Sequence, residues 1–302
     1  MSQTLDGGLA AEAAAGTALP APRRRRREET GLARFLLRRP GLVLSALTVL
    51  AVVVAAFRPE TFTSADPLAG VPAHRFQAPS AAHWFGTDEL GRDVFARMAH
   101  GAALSMKATL IAVAVAFVFG GLVGLVSGFV GRWVDDVLMR AVDVVLAIPA
   151  LFLSLALVTA LGYGTVKVAV AIGVASVASF ARVMRAEVLR VRQAVYVEAA
   201  RACGVRWWNV LGRHVLPNAI GPVLVLATLD FGTAILGVSA LSFLGYGEPP
   251  PAPEWGTVIA GGRNYLANAW WLTALPGLVI AATVLSTNRI ARALDGEWAR
   301  RR

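Results

Sequence analysis

ATLIAVAVAFVFGGLVGLVSGFV, residues 108–130, runs for 23 positions without a charged side chain. A helix that crosses a bilayer needs about 20 consecutive apolar residues, so this stretch makes lipid the solvent. Five further apolar runs lie around it: Gly41 to Phe57, Val137 to Leu161 with Pro149 inside, Val166 to Phe180, Ala219 to Leu244, and Trp271 to Leu285. The runs at 166 and 271 are short and reach spanning length only when Gly, Thr and Trp at their ends are counted. The expectation is an all-α integral membrane protein with about six transmembrane helices, and Pro149 kinking the third. Composition agrees: 56% of the 302 residues are hydrophobic and 16% charged, where soluble domains carry roughly a quarter charged. A cleaved secretory signal would resemble the first run. That run is long for a signal, its leader is very long, and more spans follow.

The net charge is +10. The arginines sit between apolar runs, and no helix-turn-helix, zinc or RNA-binding pattern accompanies them, so nucleic acid is not the expected partner. Arginine-rich and arginine-poor links alternate along the chain. By the positive-inside rule both termini and the basic link from Arg182 to Arg213 are cytoplasmic. Trp270 and Trp271 then fall in the outer interfacial belt and Trp133 near the inner one. The chain divides into an Arg-rich tail without periodicity (1–39), a first span (40–57), an extracytoplasmic segment (58–103), a membrane core (104–295) and a basic end (296–302). Within the segment 58–103, an amphipathic helix is expected over Gly86 to Arg97, capped by Thr87 or Asp88. Cys203 is the only cysteine, so no intrachain disulfide forms.

The long basic link needs a task, because adjacent spans are joined by a few residues when nothing else is required. It contains Tyr196-Val197-Glu198-Ala199-Ala200-Arg201-Ala202-Cys203-Gly204 and ends on His214-Val215-Leu216-Pro217-Asn218. The alanines favour helix, and Gly204 is placed to stop it in the left-handed conformation. Trp207 to Val215 reads as a second amphipathic piece, and Pro217 opens the fifth span, where a missing N–H costs nothing. The product is a short helix with a small-residue face, suited to a groove on a soluble partner.

Glu198-Ala199-Ala200, Gly204 and Leu216-Pro217 resemble the EAA loop of binding-protein-dependent ABC importers. His214 departs from the usual aliphatic residue, although Arg213-His214 is common in the peptide-transporter branch. His83-Trp84-Phe85-Gly86-Thr87-Asp88-Glu89-Leu90-Gly91-Arg92-Asp93-Val94-Phe95 resembles the external segment of C-type subunits of dipeptide, oligopeptide and nickel permeases, with Trp84 where proline or leucine is usual. Leu241 to Gly247 and Pro250 to Gly256 resemble the same branch. The resemblance covers about Arg38 to Asp295. It implies the type I ABC importer permease fold in a bacterial inner membrane. It implies a homologous second permease subunit, two ATPase domains or subunits and an extracytoplasmic binding protein, with short peptides as first substrate and nickel chelates or other small peptidic solutes as alternatives. It makes the loop at 196–217 the coupling element, with Glu198, Ala199, Ala200, Gly204 and Pro217 meeting the ATPase. It makes Asp88, Arg92 and Trp255 candidates for binding-protein contact.

Asp230 falls inside the fifth span, where an ionisable group is costly and marks either a path or a packing contact. Asp143 is expected to pair with Arg140, one turn away. There is no GxxxxGK[ST] phosphate loop, so ATP and Mg belong to partner subunits and no cofactor is held directly. No metal-ligand cluster or nucleophile–base pair appears, and the chain is not expected to be an enzyme. An ion-coupled secondary transporter would show paired broken helices in two repeated halves, and an intramembrane enzyme would need more polar groups at depth than Asp230.

Overall fold

The computed structural model describes residues 40–301, with side chains to residue 293. The expected Arg-rich tail at 1–39 lies outside the described residues, as do the side chains of the basic end at 296–302. Every described element is helical. Helix α1 is Pro40–Phe57 and α2 is Val94–Val130, with a π turn at Ala116–Gly120. Then follow α3, Arg132–Ala147, α4, Ala150–Leu161, and α5, Thr165–Arg192. The short α6 is Val195–Ala202, and α7 is Trp207–Phe243 with a π turn at Val210–Val215. Helix α8 is Trp255–Gly262 and α9 is Trp271–Arg301. Five helices are long and apolar enough to cross a membrane, and the pair α3–α4 makes a sixth span if taken as one bent element.

That bend is sharper than a proline kink. The axes of α3 and α4 differ by 95°, and Ile148 between them is extended, at φ −92° and ψ 128°. Pro149 clashes with an α-helical conformation at the residue before it, so α3 ends and a new helix starts after the ring. The short apolar runs at 166 and 271 are segments of longer helices that continue into polar sequence. Arg182, Arg185, Arg190 and Arg192 thus belong to the last turns of α5, not to a link.

Helix α5 is the centre of the bundle, packed on α2, α3, α4 and α7. Its approach to α2 is close because α2 offers Gly120, Gly124 and Gly128 to it. A Cβ on Gly120 would meet Phe180 Cβ and Val177 O at 2.5 Å, and one on Gly128 would meet Val188 Cβ at 2.9 Å. Backbones in lipid gain contact by this small-residue approach, since no hydrophobic effect drives apolar helices together there.

Helix α3 is tied to α5 by charge. Arg185 grips Asp135 with two donors, Nε at 2.5 Å and Nη2 at 2.6 Å, and Ser127 donates to the same carboxylate. Two turns on, Asp143 meets Arg182 at 2.6 Å. The expected Asp143–Arg140 pair does not form. Asp135 and Asp143 are eight residues apart and share the face of α3 that meets α5, so the carboxylate reaches across to Arg182. The two pairs differ in worth: Arg182 and Asp143 are both more than half exposed and contribute little. The forked pair is partly shielded, with Asp135 15% and Arg185 34% exposed. Arg185→Ala is expected to cost about 2 kcal/mol, below the 3–5 typical of a fully buried pair, seen as a lower thermal midpoint in detergent. Arg185→Ala with Asp135→Asn should recover part of it.

The segment 58–93 carries no amphipathic helix over Gly86 to Arg97. Gly86 and Gly91 take φ +70° and +75°, and the Asp88 carboxylate accepts the N–H groups of Leu90 and Arg92 at 2.9 and 3.0 Å. A side chain that captures its own neighbours' N–H groups competes with helix. Asp93, not Thr87 or Asp88, is the N-cap, accepting from Ala96 N at 2.8 Å, and α2 runs from there directly into the span. Thr87 fastens the loop to its surroundings: it exchanges hydrogen bonds with Gln77, donates to His74 O, and lends its own carbonyl to the Trp271 indole.

Candidate functional site

The basic loop is built around one buried residue. Val197 of α6 is fully enclosed, packed with Val191, Val210, Val215 and Ala219. With that side fixed, α6 turns Glu198 and Ala199 to solvent and leaves Ala200 half-exposed. Its end is a Schellman motif: Val205 N–H reaches Ala200 O at 3.1 Å and Gly204 N–H reaches Arg201 O at 3.0 Å. Gly204 has φ +75°, and nothing lies within 4 Å of where a Cβ would be. The glycine is thus needed for backbone conformation and not for space. Cys203, one residue earlier, is exposed. Arg201 lies over Phe129 at 5.8 Å and Arg206 over Trp208 at 5.2 Å, cation–π contacts of which the first ties the loop to the end of α2. Trp207 and Trp208 remain exposed.

Pro217 stands in the first turn of the α-helical stretch Leu216–Phe243, as expected, and the π turn Val210–Val215 leads into that stretch without a break. The π turn shifts the carbonyl register ahead of the ring, so its missing N–H interrupts no α-helical ladder. Asn218 Nδ2 donates to His214 O at 2.7 Å, occupying one of those carbonyls.

A second feature lies deeper. Asp230 lines an open cleft of about 440 Å³ with Ser154, Ser176, Ser179 and Thr233, and the Ile148–Pro149 break forms part of its wall. Thr233 Oγ1 donates to the carboxylate at 2.8 Å. Asp230 is the only charged residue of the lining. Nothing in the serine spacing of α5 marked Ser176 and Ser179 as its companions; a helix of 28 residues brings them there.

The residues considered for contact with a binding protein are placed differently from expectation. Asp88 and Arg92 are buried, and their Oδ2–Nε pair is 2.7 Å long. Trp255 is 1% exposed and donates its indole N–H to Met98 O at 2.9 Å. All three are buried and occupied in holding the segment together. Beside Trp255 stands a residue that sequence reasoning passed over: Glu254 caps α8, accepting from Gly256 N and Thr257 N at 3.1 Å and from Ser105 of α2 at 3.3 Å. Burial pushes its carboxyl above the usual range, and those hydrogen bonds oppose the shift. The signal available in the sequence was an acidic residue directly ahead of a helical turn.

Residues 120–300 match the family described as "Binding-protein-dependent transport system inner membrane component". The dipeptide transport system permease protein DppC of Alkalihalophilus pseudofirmus is 40% identical over 243 residues, 80% of each chain. The di/tripeptide transport system permease protein DppC of Pseudomonas aeruginosa is 41% identical over 217 residues, 72% of each. The glutathione transport system permease protein GsiD of Pectobacterium atrosepticum is 37% identical over 218 residues, again 72% of each. Among solved structures, an amino acid ABC transporter with histidines aligns at TM-score 0.52 and 16% identity, covering 67% of this chain and 94% of that one. The inward-facing MetNI methionine ABC transporter aligns at TM-score 0.52 and 20% identity, covering 65% and 95%. These two carry the fold alone. The match over 181 residues and the relatives near 40% identity carry the family: this chain belongs to the inner membrane components of binding-protein-dependent transport systems, as one of their multi-pass permease subunits.

Proposed function

We propose that the chain is one half of the translocation path of an ATP-driven importer of short peptides in a bacterial inner membrane. Both termini and the loop at 193–217 face the cytoplasm. A homologous second permease, two ATPase domains and an extracytoplasmic binding protein complete the assembly. The observation that carries this reading is α6: a two-turn helix, anchored by Val197 alone, with Glu198 and Ala199 presented outward between an ordered entry and a glycine-locked exit. That is the geometry of a docking element. ATP is used by the partner, and its closure is transmitted through α6 to the helices that line the Asp230 cleft. Peptide as substrate rests on the dipeptide and di/tripeptide permeases among the relatives; the glutathione permease keeps other small peptidic solutes open, and nickel chelates remain the further alternative.

The test is reconstitution. The chain should co-purify with an ATPase and a second permease, and the complex should take up dipeptide only with ATP and binding protein. A reporter active only outside the cytoplasm should give signal when fused at Pro72 or Pro251 and none at Gln193. Uptake by the chain alone, or signal at Gln193, would overturn the reading.

A further inference from the structure

Helices α1 and α9 meet near Val52, Ala55, Ile280 and Val284. Toward the start of α1, a cleft of about 660 Å³ lies between them. Its floor is the buried Ser45 and Ser286, its walls are the exposed apolar Leu44, Ala282 and Leu285, and Thr48, Arg289 and Arg292 complete the lining. The Arg289 guanidinium rests against Gly41, in space that any side chain at 41 would fill. Among the described residues no carboxylate lines the cleft and neither arginine is in an ion pair. Two cations one turn apart where the apolar part of α9 ends, beside exposed apolar walls, match the two halves of a phospholipid: the arginines its phosphate and the walls its acyl chain. Arginine matches phosphate oxygens with paired donors. The hydroxyls of Ser45 and Thr48 donate to Gly41 O and Leu44 O, so their oxygens remain acceptors for a headgroup hydroxyl.

We propose that this cleft is a binding site for one anionic phospholipid, with Arg289 and Arg292 holding its phosphate and the groove between α1 and α9 its upper acyl chain. The site is independent of the docking loop and of the substrate.

The experiment uses the assembled transport complex in nanodiscs of phosphatidylcholine with a minor fraction of phosphatidylglycerol as the anionic lipid. Retained phosphatidylglycerol is counted by native mass spectrometry after detergent exchange. Arg289→Gln with Arg292→Gln should lower the retained lipid about thirtyfold, the loss of two interfacial cationic contacts. Thr48→Trp leaves both arginines and fills the groove, and should lower retention as well. Arg263→Gln, on the connection between α8 and α9, should change nothing. Equal retention in the double variant overturns the site. Loss in the double variant with full retention in Thr48→Trp overturns it too, since surface attraction would then suffice. Displacement of the lipid by millimolar inorganic phosphate would assign the arginines to a free anion instead.

Discussion

Gly204→Val is expected to abolish transport while leaving the chain in the membrane at normal levels. The site has open space around it, so the whole effect comes from backbone. A β-branched residue at φ +75° costs on the order of 1–2 kcal/mol. The exit from α6 avoids that cost by giving up the left-handed turn, and with it the bonds Val205 N–Ala200 O and Gly204 N–Arg201 O. Helix α6 is only two turns long, and helices of that length do not persist without their ends. Its outward face then loses its fixed orientation. Substrate uptake and substrate-stimulated ATP hydrolysis, measured on matched amounts of complex, should fall at least tenfold. Gly204→Asn should keep most activity, because asparagine tolerates this conformation. Glu198→Lys should match Gly204→Val in uptake by reversing charge on an exposed face, with no loss of thermal stability. Glu198→Ala should be milder. Full activity in both Gly204→Val and Glu198→Lys would remove the docking role from this loop.

Gly124→Leu is expected to be the most destabilising single change in the membrane core. A Cβ at 124 would lie against Ala181 O, 2.8 Å from Met184 Cβ and 2.9 Å from Arg185 N. Two of those three atoms belong to the backbone of α5 and cannot rotate away. Overfilling an interior commonly costs 1–3 kcal/mol; separating α2 from the central helix should exceed about 3, with accumulation in the membrane falling in step. The sign of Gly124→Ala separates this account from helix propensity. In an exposed helix that change gains up to about 1 kcal/mol, and here it should lower the melting temperature in detergent. Gly277 in α9 has nothing within 4 Å of its Cβ position, so Gly277→Ala should be neutral or stabilising. A stable Gly124→Leu chain would mean that α2 and α5 are not held at this distance.

The membrane-embedded parts of the fold were readable because lipid imposes a composition. Residues 108–130 admit no other solvent. The ends of the same helices were not readable, because water and partner side chains impose nothing so uniform. Helix α2 starts at Val94, fourteen residues before its uncharged run, since Asp93 caps it and Arg97 is absorbed by Pro67 O and the Asp88 cluster. Helix α5 continues past Phe180 with Arg185 gripping Asp135 of α3, a pairing over 50 residues that no local pattern announces. The end of α6 was legible to the residue at Gly204, where conformation alone demands glycine. Asp88, Arg92 and Trp255 were candidates for partner contact through the resemblance of their segments to external parts of related permeases, which carries no information on burial. Their true partners, Arg97, Met98 and each other, lie across turns or at the far end of the chain.

Cys203 gives the native sequence an optical handle. It is the chain's only sulfhydryl, it is exposed, and it sits at the junction of α6 with its closing turn. A thiol-directed fluorophore attaches there and nowhere else on this subunit, without any mutation. The dye's brightness and polarisation would then register each arrival and departure of whatever covers that helix, in real time, on the wild-type molecule.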